Sequence, residues 1–174
     1  MNKLFALLTS FIMLFGVGCE DNSTPEEKAE KKFKLILSVI ENGTTFSIKT
    51  YLSTVENTAK DTVIGYLNDT ASVIQTVADT GQIEPEVFKK YVTEQIDKQV
   101  AAPYNTVIAT TLDLALDGYN KFYAANVKDK IENEPKAKEI ISAIVAGIHS
   151  GADPVAGDVL DTSNPLEGEI DWNL

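Results

Sequence analysis

The chain has 174 residues, a formal net charge of −11 and 44% apolar residues, enough for one ordinary domain that folds without disulfide or metal staples. All 15 basic residues are Lys and none is Arg, which argues against nucleic acid, whose binding rests on neutralising phosphates. It also removes the planar fork that grips carboxylates and phosphates two-handedly.

Lys3 opens the chain with a positive charge, Leu4 to Val17 form an apolar run, and Gly16-Val17-Gly18-Cys19 closes it with small residues against the single cysteine. Fourteen residues fall short of the roughly 20 that cross the hydrocarbon as a helix. The charged start, apolar middle and small-residue boundary match a secretory signal. From Glu20 the chain turns polar and acidic. These residues resemble the signal peptide and lipobox of bacterial lipoproteins, although Gly16 stands where that family usually carries Leu or another aliphatic residue. The resemblance implies cleavage between Gly18 and Cys19 and acylation of Cys19, palmitate being a typical chain. It implies a membrane-anchored lipoprotein facing the periplasm or the cell exterior. Two acyl chains or more are what stable anchoring takes. The same residues also admit an ordinary signal cut near Gly18, leaving Cys19 a free thiol, or an uncleaved anchor.

Residues 1–18 are thus read as the signal, 19–24 as a lipidated tether, 25–151 as a helical body and 152–174 as a tail. Without residues 1–18 the chain keeps 156 residues and a net charge of −12, because Lys3 leaves with the signal. An acidic body is repelled by anionic lipid, so acyl chains and not a basic patch would hold it to the membrane.

Thr24-Pro25-Glu26-Glu27 reads as a helix start: Thr24 caps, Pro25 suits the first helical position, and Glu27 completes a capping box. Phe33, Ile36, Leu37 and Ile40 follow at helical spacing, and Asn42-Gly43 is expected to end the element. A second helix is expected from about Thr45 to Thr80. Along it Ile48, Leu52, Val55, Ala59, Val63, Tyr66, Thr70, Ile74 and Val77 recur in steps of three and four, averaging the helical period, until Gly81 stops it. Thr50, Thr54, Thr58 and Thr62 would form a solvated flank, and so many β-branched residues allow a break near Asn57-Thr58.

A third helix opens at Pro85 and carries Phe88, Tyr91, Val92, Ile96 and Val100, until Pro103 interrupts it. Asn105 could cap a fourth, bearing Ile108, Leu112, Ala115, Tyr119, Phe122 and Asn126 on one face. Within it, residues 112–117 alternate like a strand, but the longer helical frame on both sides favours helix. Glu134-Pro135 starts a fifth, with Ala137, Ile140, Ile141, Ile144, Val145 and Ile148 as its stripe and Gly151 as its cap. From Ala152 the periodicity vanishes. Asp153, Asp158, Asp161, Glu167, Glu169 and Asp171 face no Lys there, and the segment reads as an extended or disordered acidic tail. Ile170, Trp172 and Leu174 are its exception, expected either to fold back on the body or to serve as a motif for a protein partner.

The expectation is an all-α bundle of about five amphipathic helices, with a signal segment before it and an acidic tail after it. No catalytic constellation is legible. His149 is the sole histidine, so no two-histidine zinc site can be built, and no Gly-x-Ser-x-Gly elbow occurs. Glu26, Glu27, Glu30 and Glu132, Glu134, Glu139 are interleaved with Lys, as on a solvated helix face, and Asp153, Asp158 and Asp161 lack the spacing of a calcium loop. Neither metal nor cofactor is expected. The leading reading is a non-catalytic binding or scaffolding lipoprotein of the cell envelope, compatible with bacteriophage or mobile-element origin. The alternative is a carrier of an apolar small molecule, in a cavity lined by Tyr66, Tyr119, Phe122 and Tyr123.

Overall fold

The computed structural model describes residues 24–128 and 131–153, and these are mostly helical, joined by short connections. In chain order they are α1 (Pro25–Thr54), α2 (Asn57–Asp79), α3 (Pro85–Gln99), α4 (Tyr104–Asn126), a short 3-10 turn (Ile131–Asn133) and α5 (Glu134–Ala152). The all-α bundle of five helices is therefore established. Cys19 with its lipobox, and Ile170, Trp172 and Leu174 in the tail, lie outside the described residues.

The start of α1 is the capping box read from Thr24 and Glu27. The Glu27 amide donates to Thr24 Oγ1 at 3.2 Å, and the Thr24 amide donates to Glu27 Oε2 at 2.8 Å. Two backbone donors of the first turn are thereby satisfied reciprocally.

Asn42-Gly43 does not end the helix, as its composition suggests; α1 runs through it for 30 residues. Asn42 uses its side chain within the helix, its amide nitrogen donating to Ser38 Oγ at 3.1 Å. Thr44 and Thr45 donate their hydroxyls back to the Ile40 and Glu41 carbonyls. Beyond them Thr44 and Ile48 are buried, and this tertiary packing outweighs the local preference of Asn-Gly for a turn. The interruption falls instead at Val55-Glu56, two residues before the break allowed from sequence. There Ser53 and Thr54 hydroxyls take the carbonyls of Thr50 and Tyr51, three residues back, a local bonding pattern that competes with further helix. The four-threonine strip is accordingly split, Thr50 and Thr54 closing α1 while Thr58 and Thr62 open α2.

The remaining boundaries follow their signals. Gly81 adopts φ 79°, the left-handed conformation that stops α2. Helix α3 ends ahead of Pro103, and α5 begins at Glu134-Pro135. Two details differ. Asn105 does not cap α4, which starts at Tyr104; its Oδ1 accepts from the next amide, that of Thr106. Gly151 lies within α5, which continues to Ala152.

Each predicted stripe turns inward except at Tyr91, which is 42% exposed beside Val87. The core joins Phe33, Ile36, Ile40 and Ile48 of α1 to Val63, Leu67 and Ile74 of α2 and Phe88, Val92 and Ile96 of α3. From the other two helices come Ile108, Leu112, Tyr119 and Phe122 of α4, and Ile140, Ile141, Ile144 and Ile148 of α5. Helix α5 is the hub, packing on α1, α2 and α4, while α3 packs on α2 and α4.

Helices α1 and α5 run parallel. Lys136 lies over the Phe33 ring, Gly147 lies against Glu41 and Thr44, and Gly151 lies against Ile48, so both numberings advance together. Thr45 Oγ1 also donates to the Gly147 carbonyl at 3.2 Å. A Cβ on residue 147 would stand 2.6 Å from the Glu41 carbonyl oxygen and 2.7 Å from Thr44 Cβ. On residue 151 it would stand 2.6 Å from Ile48 Cβ. The two backbones approach this closely because both positions are glycine. By contrast, a Cβ at Gly65, exposed within α2, would meet nothing within 4 Å.

These two environments predict opposite outcomes for the same substitution. Gly147→Ala should destabilise the bundle by about 1–3 kcal/mol, because a helical backbone cannot yield locally to the added methyl. Gly65→Ala should stabilise it by about 0.5–1 kcal/mol through helix propensity alone. Urea unfolding followed by circular dichroism measures both, and equal shifts of the same sign would contradict the packing described.

Candidate functional site

The chemistry-bearing side chains are spread over the surface. His149 is exposed on α5, and its Nδ1 lies 3.0 Å from Asn68 Oδ1, tying α5 to α2. The expected acid clusters are solvated: Glu26, Glu27, Glu30, Glu132, Glu134 and Glu139 are all exposed. Among the described residues no group of three or more His, Cys, Asp or Glu gathers as a metal ion would require. Every buried side-chain nitrogen or oxygen among them has a hydrogen-bond partner, so no orphaned polar group marks a ligand's place.

Of the four aromatic residues expected to line one cavity, Tyr119 and Tyr123 pack together, while Tyr66 and Phe122 pair with other rings. Phe122 is fully buried against Phe33, with ring centroids 5.7 Å apart. Tyr66 packs with Tyr104 at 6.1 Å. Tyr119 stands with Phe88 at 5.3 Å and with Tyr123 at 6.1 Å. These are tilted arrangements of the kind aromatic pairs adopt in cores. The spacing that suggests a cavity serves helix packing instead, since a face that turns rings inward turns them toward several neighbours.

Two open clefts can be described. One, of about 240 Å³ between α3 and α4, is lined by Pro85, Glu86, Phe88, Lys89, Leu116, Asp117, Tyr119 and Asn120. At its rim the Lys89 ammonium lies 3.0 Å from Asp113. The hydrogen bond to that carboxylate holds Lys89 above its ordinary range against the opposing effect of burial, with the charges of Asp113, Asp117 and Glu86 adding to the rise. The other, of about 370 Å³, is lined by Glu132, Glu134, Pro135 and Lys138 at the start of α5. Both carry mixed charges on an exposed rim, and neither includes Tyr66, Phe122 or Tyr123.

The most perturbed group is the Tyr119 phenol. It is 1% exposed and donates to the Ile83 carbonyl in the loop between α2 and α3. Burial, then Tyr123 and Glu84, push its ionisation far above the ordinary value of 10.0. Tyr123 is raised less, by burial and by Glu84 and Glu134. A phenol locked neutral in this way is a structural clamp that fastens the loop to α4.

The two ends of the bundle are set by the direction of its helices. Thr24 begins α1 at one end of the bundle. Because α5 is parallel to α1, Asp153 leaves α5 toward the opposite end, about 28 Å along its axis at 1.5 Å per residue. Near that far end stand Tyr51 of α1, Tyr66 of α2 and Tyr104 of α4, all half-buried, with Val107 37% exposed one turn beyond Tyr104. Sequence periodicity places each of these rings on a helix face, but which rings converge depends on the packing of three helices.

Comparison with protein-family models, with curated proteins and with solved structures found no match for this chain.

The Tyr119 clamp makes alkaline stability a test of the core. The folded state holds the phenol neutral, whereas in the unfolded chain it ionises near 10.0. Its contribution is thus fully present below pH 10 and is lost as pH rises above it. Tyr119→Phe should lower stability at neutral pH by about 1–2 kcal/mol, by leaving the Ile83 carbonyl unpaired. It should also flatten the decline above pH 10. Denaturation midpoints from pH 7 to 11 check both; an unchanged alkaline slope would remove Tyr119 from that role.

Proposed function

We propose that the protein is a non-catalytic lipoprotein of the cell envelope, held to the membrane by acyl chains on Cys19 and acting as a binding or scaffolding module. The observation that carries this reading is the short apolar run ending in Val17-Gly18-Cys19, followed at once by polar, acidic sequence. Acylation also accounts for a lone cysteine that has no partner for an internal disulfide.

Two features of the folded body support it. No helix among the described residues is long and apolar enough to cross a membrane, so attachment through that body would need another device. The capped start of α1 at Pro25 stands six residues after Cys19, a tether short enough to keep that end of the bundle close to the lipid. With α5 parallel to α1, the acidic tail then departs from the end remote from the membrane, where a protein partner can reach it. A tail repelled by anionic lipid suits that position. Ile170, Trp172 and Leu174 are the side chains in its last five residues able to seat in a partner's pocket.

Radiolabelled palmitate fed to expressing cells should enter the wild-type chain and not Cys19→Ser, and the serine variant should escape processing by the lipoprotein peptidase. A serine variant that is cut at the same place and stays on the membrane overturns the anchor. For the tail, in-cell crosslinking of the chain lacking residues 153–174 should lose the principal adduct of the full chain while the helical signal persists. A truncation that unfolds the bundle instead makes the tail structural.

A further inference from the structure

We infer that Ile170, Trp172 and Leu174 of the chain's own tail dock against the half-buried tyrosines Tyr51, Tyr66 and Tyr104 at the far end of the bundle, beside Val107. The inference stands whether or not Cys19 carries lipid; it gives the terminal motif a resting place from which a partner would displace it.

Three observations lead there. The first is the surface. Tyr66 in α2 and Tyr104 at the start of α4 pair their rings across two helices, and Tyr51 in the last turn of α1 stands close enough to Tyr104 to feel its hydroxyl. The Tyr104 and Tyr66 centroids are 6.1 Å apart, and burial together with the nearby Tyr104 raises the Tyr51 hydroxyl above its ordinary range. Each ring remains partly open to solvent, and Val107, 37% exposed, extends the apolar edge along α4. Aromatic rings with one polar corner favour an indole, which brings a large apolar face and one donor.

The second is where the tail begins. Gly151 packs against Ile48, less than one helical turn before Tyr51, so the chain leaves Asp153 at the same end as the rings. Sixteen residues, 154–169, separate that exit from Ile170. A chain of that length following random-coil statistics would span on average about 20–24 Å. It holds the motif near the rings at a local concentration on the order of millimolar, enough for weak docking to be populated. The exposed pair Val87 and Tyr91 lies on the first half of α3, at the end where Phe88 meets Tyr119 rather than the end where Asp97 meets Asn105. It is the less accessible of the two apolar patches.

The third is the motif. Ile170, Trp172 and Leu174 alternate, so an extended segment turns all three to one face and Asp171 and Asn173 to the other. That is the pattern of a strip with one side covered and one side wet.

Trp172 is the chain's single tryptophan, so its fluorescence reports on the motif without labelling. In the full chain its emission should lie to the blue of N-acetyltryptophanamide, with a several-fold lower acrylamide quenching constant that does not depend on protein concentration. Val107→Glu, a surface change that spares the core, should raise quenching to the level of the free indole while the helical signal is unchanged. Val87→Glu should leave quenching as in the wild type. Free-indole quenching in the wild type overturns the proposal. So does protection that survives Val107→Glu, that is lost equally in Val87→Glu, or that rises with concentration, the last assigning the contact to a second copy. Tyr104→Ala should release Trp172 as well; if it unfolds the bundle, the two valine variants decide.

Discussion

Two helices pass so near each other at Gly147 and Gly151 that a Cβ at either position would force its neighbours to shift, and the rest of the architecture is arranged around this contact. It lets Thr44 and Ile48 of α1 sit directly on α5, and it brings the Thr45 hydroxyl to the Gly147 carbonyl. Glycine within a helix costs about 0.5–1 kcal/mol relative to alanine, a cost that close packing of two long helices offsets through many small dispersion contacts. With α5 seated against α1 in this way, its other faces meet α2 and α4, and α3 completes the bundle against those two.

The same contact fixes the polarity of the molecule. A chain of alternating up and down helices returns its fifth helix parallel to its first, and the glycine contact sets the axial register of that pair. The start of α1 and the end of α5 are consequently at opposite ends of the bundle. Under the proposed anchoring through Cys19, this separation would put the exit of α5 away from the surface that holds the chain. The proposed docking of the tail on Tyr51, Tyr66 and Tyr104 would keep its apolar residues covered there until a partner competes for them.

Polar satisfaction explains why the interior looks inert. Thr44, Thr70 and Asn126, the buried polar residues of the described core, return their side chains to carbonyls four residues back on their own helices. Tyr119 reaches out to a loop carbonyl instead and fastens the connection between α2 and α3. Of the two open clefts, the one at the start of α5 is lined mainly by exposed charged residues, whereas the one between α3 and α4 mixes apolar, polar and charged side chains.

The class of fold, most of its stripes and several of its boundaries were legible in the sequence, because a 3.6-residue apolar period, a Thr-Pro-Glu-Glu capping box and turn-forming glycines and prolines act locally. The sequence also carried the whole of the membrane-anchor reading, in the residues from Lys3 to Cys19. It misplaced the first connection. The period from Ile48 to Val77 keeps its phase across Val55-Glu56, so no spacing reveals the corner there, and Asn42-Gly43 offered a local stop that packing against α5 overrode. The tertiary structure alone decided that Gly147 and Gly151 are contact points, although Gly151 reads locally as a cap. It alone scattered Tyr66, Tyr119 and Phe122 among different neighbours and paired Tyr66 with Tyr104. The physical reason is that periodicity specifies which side of a helix is buried, whereas the partner on that side, and the end at which the chain leaves, depend on contacts between residues a hundred positions apart.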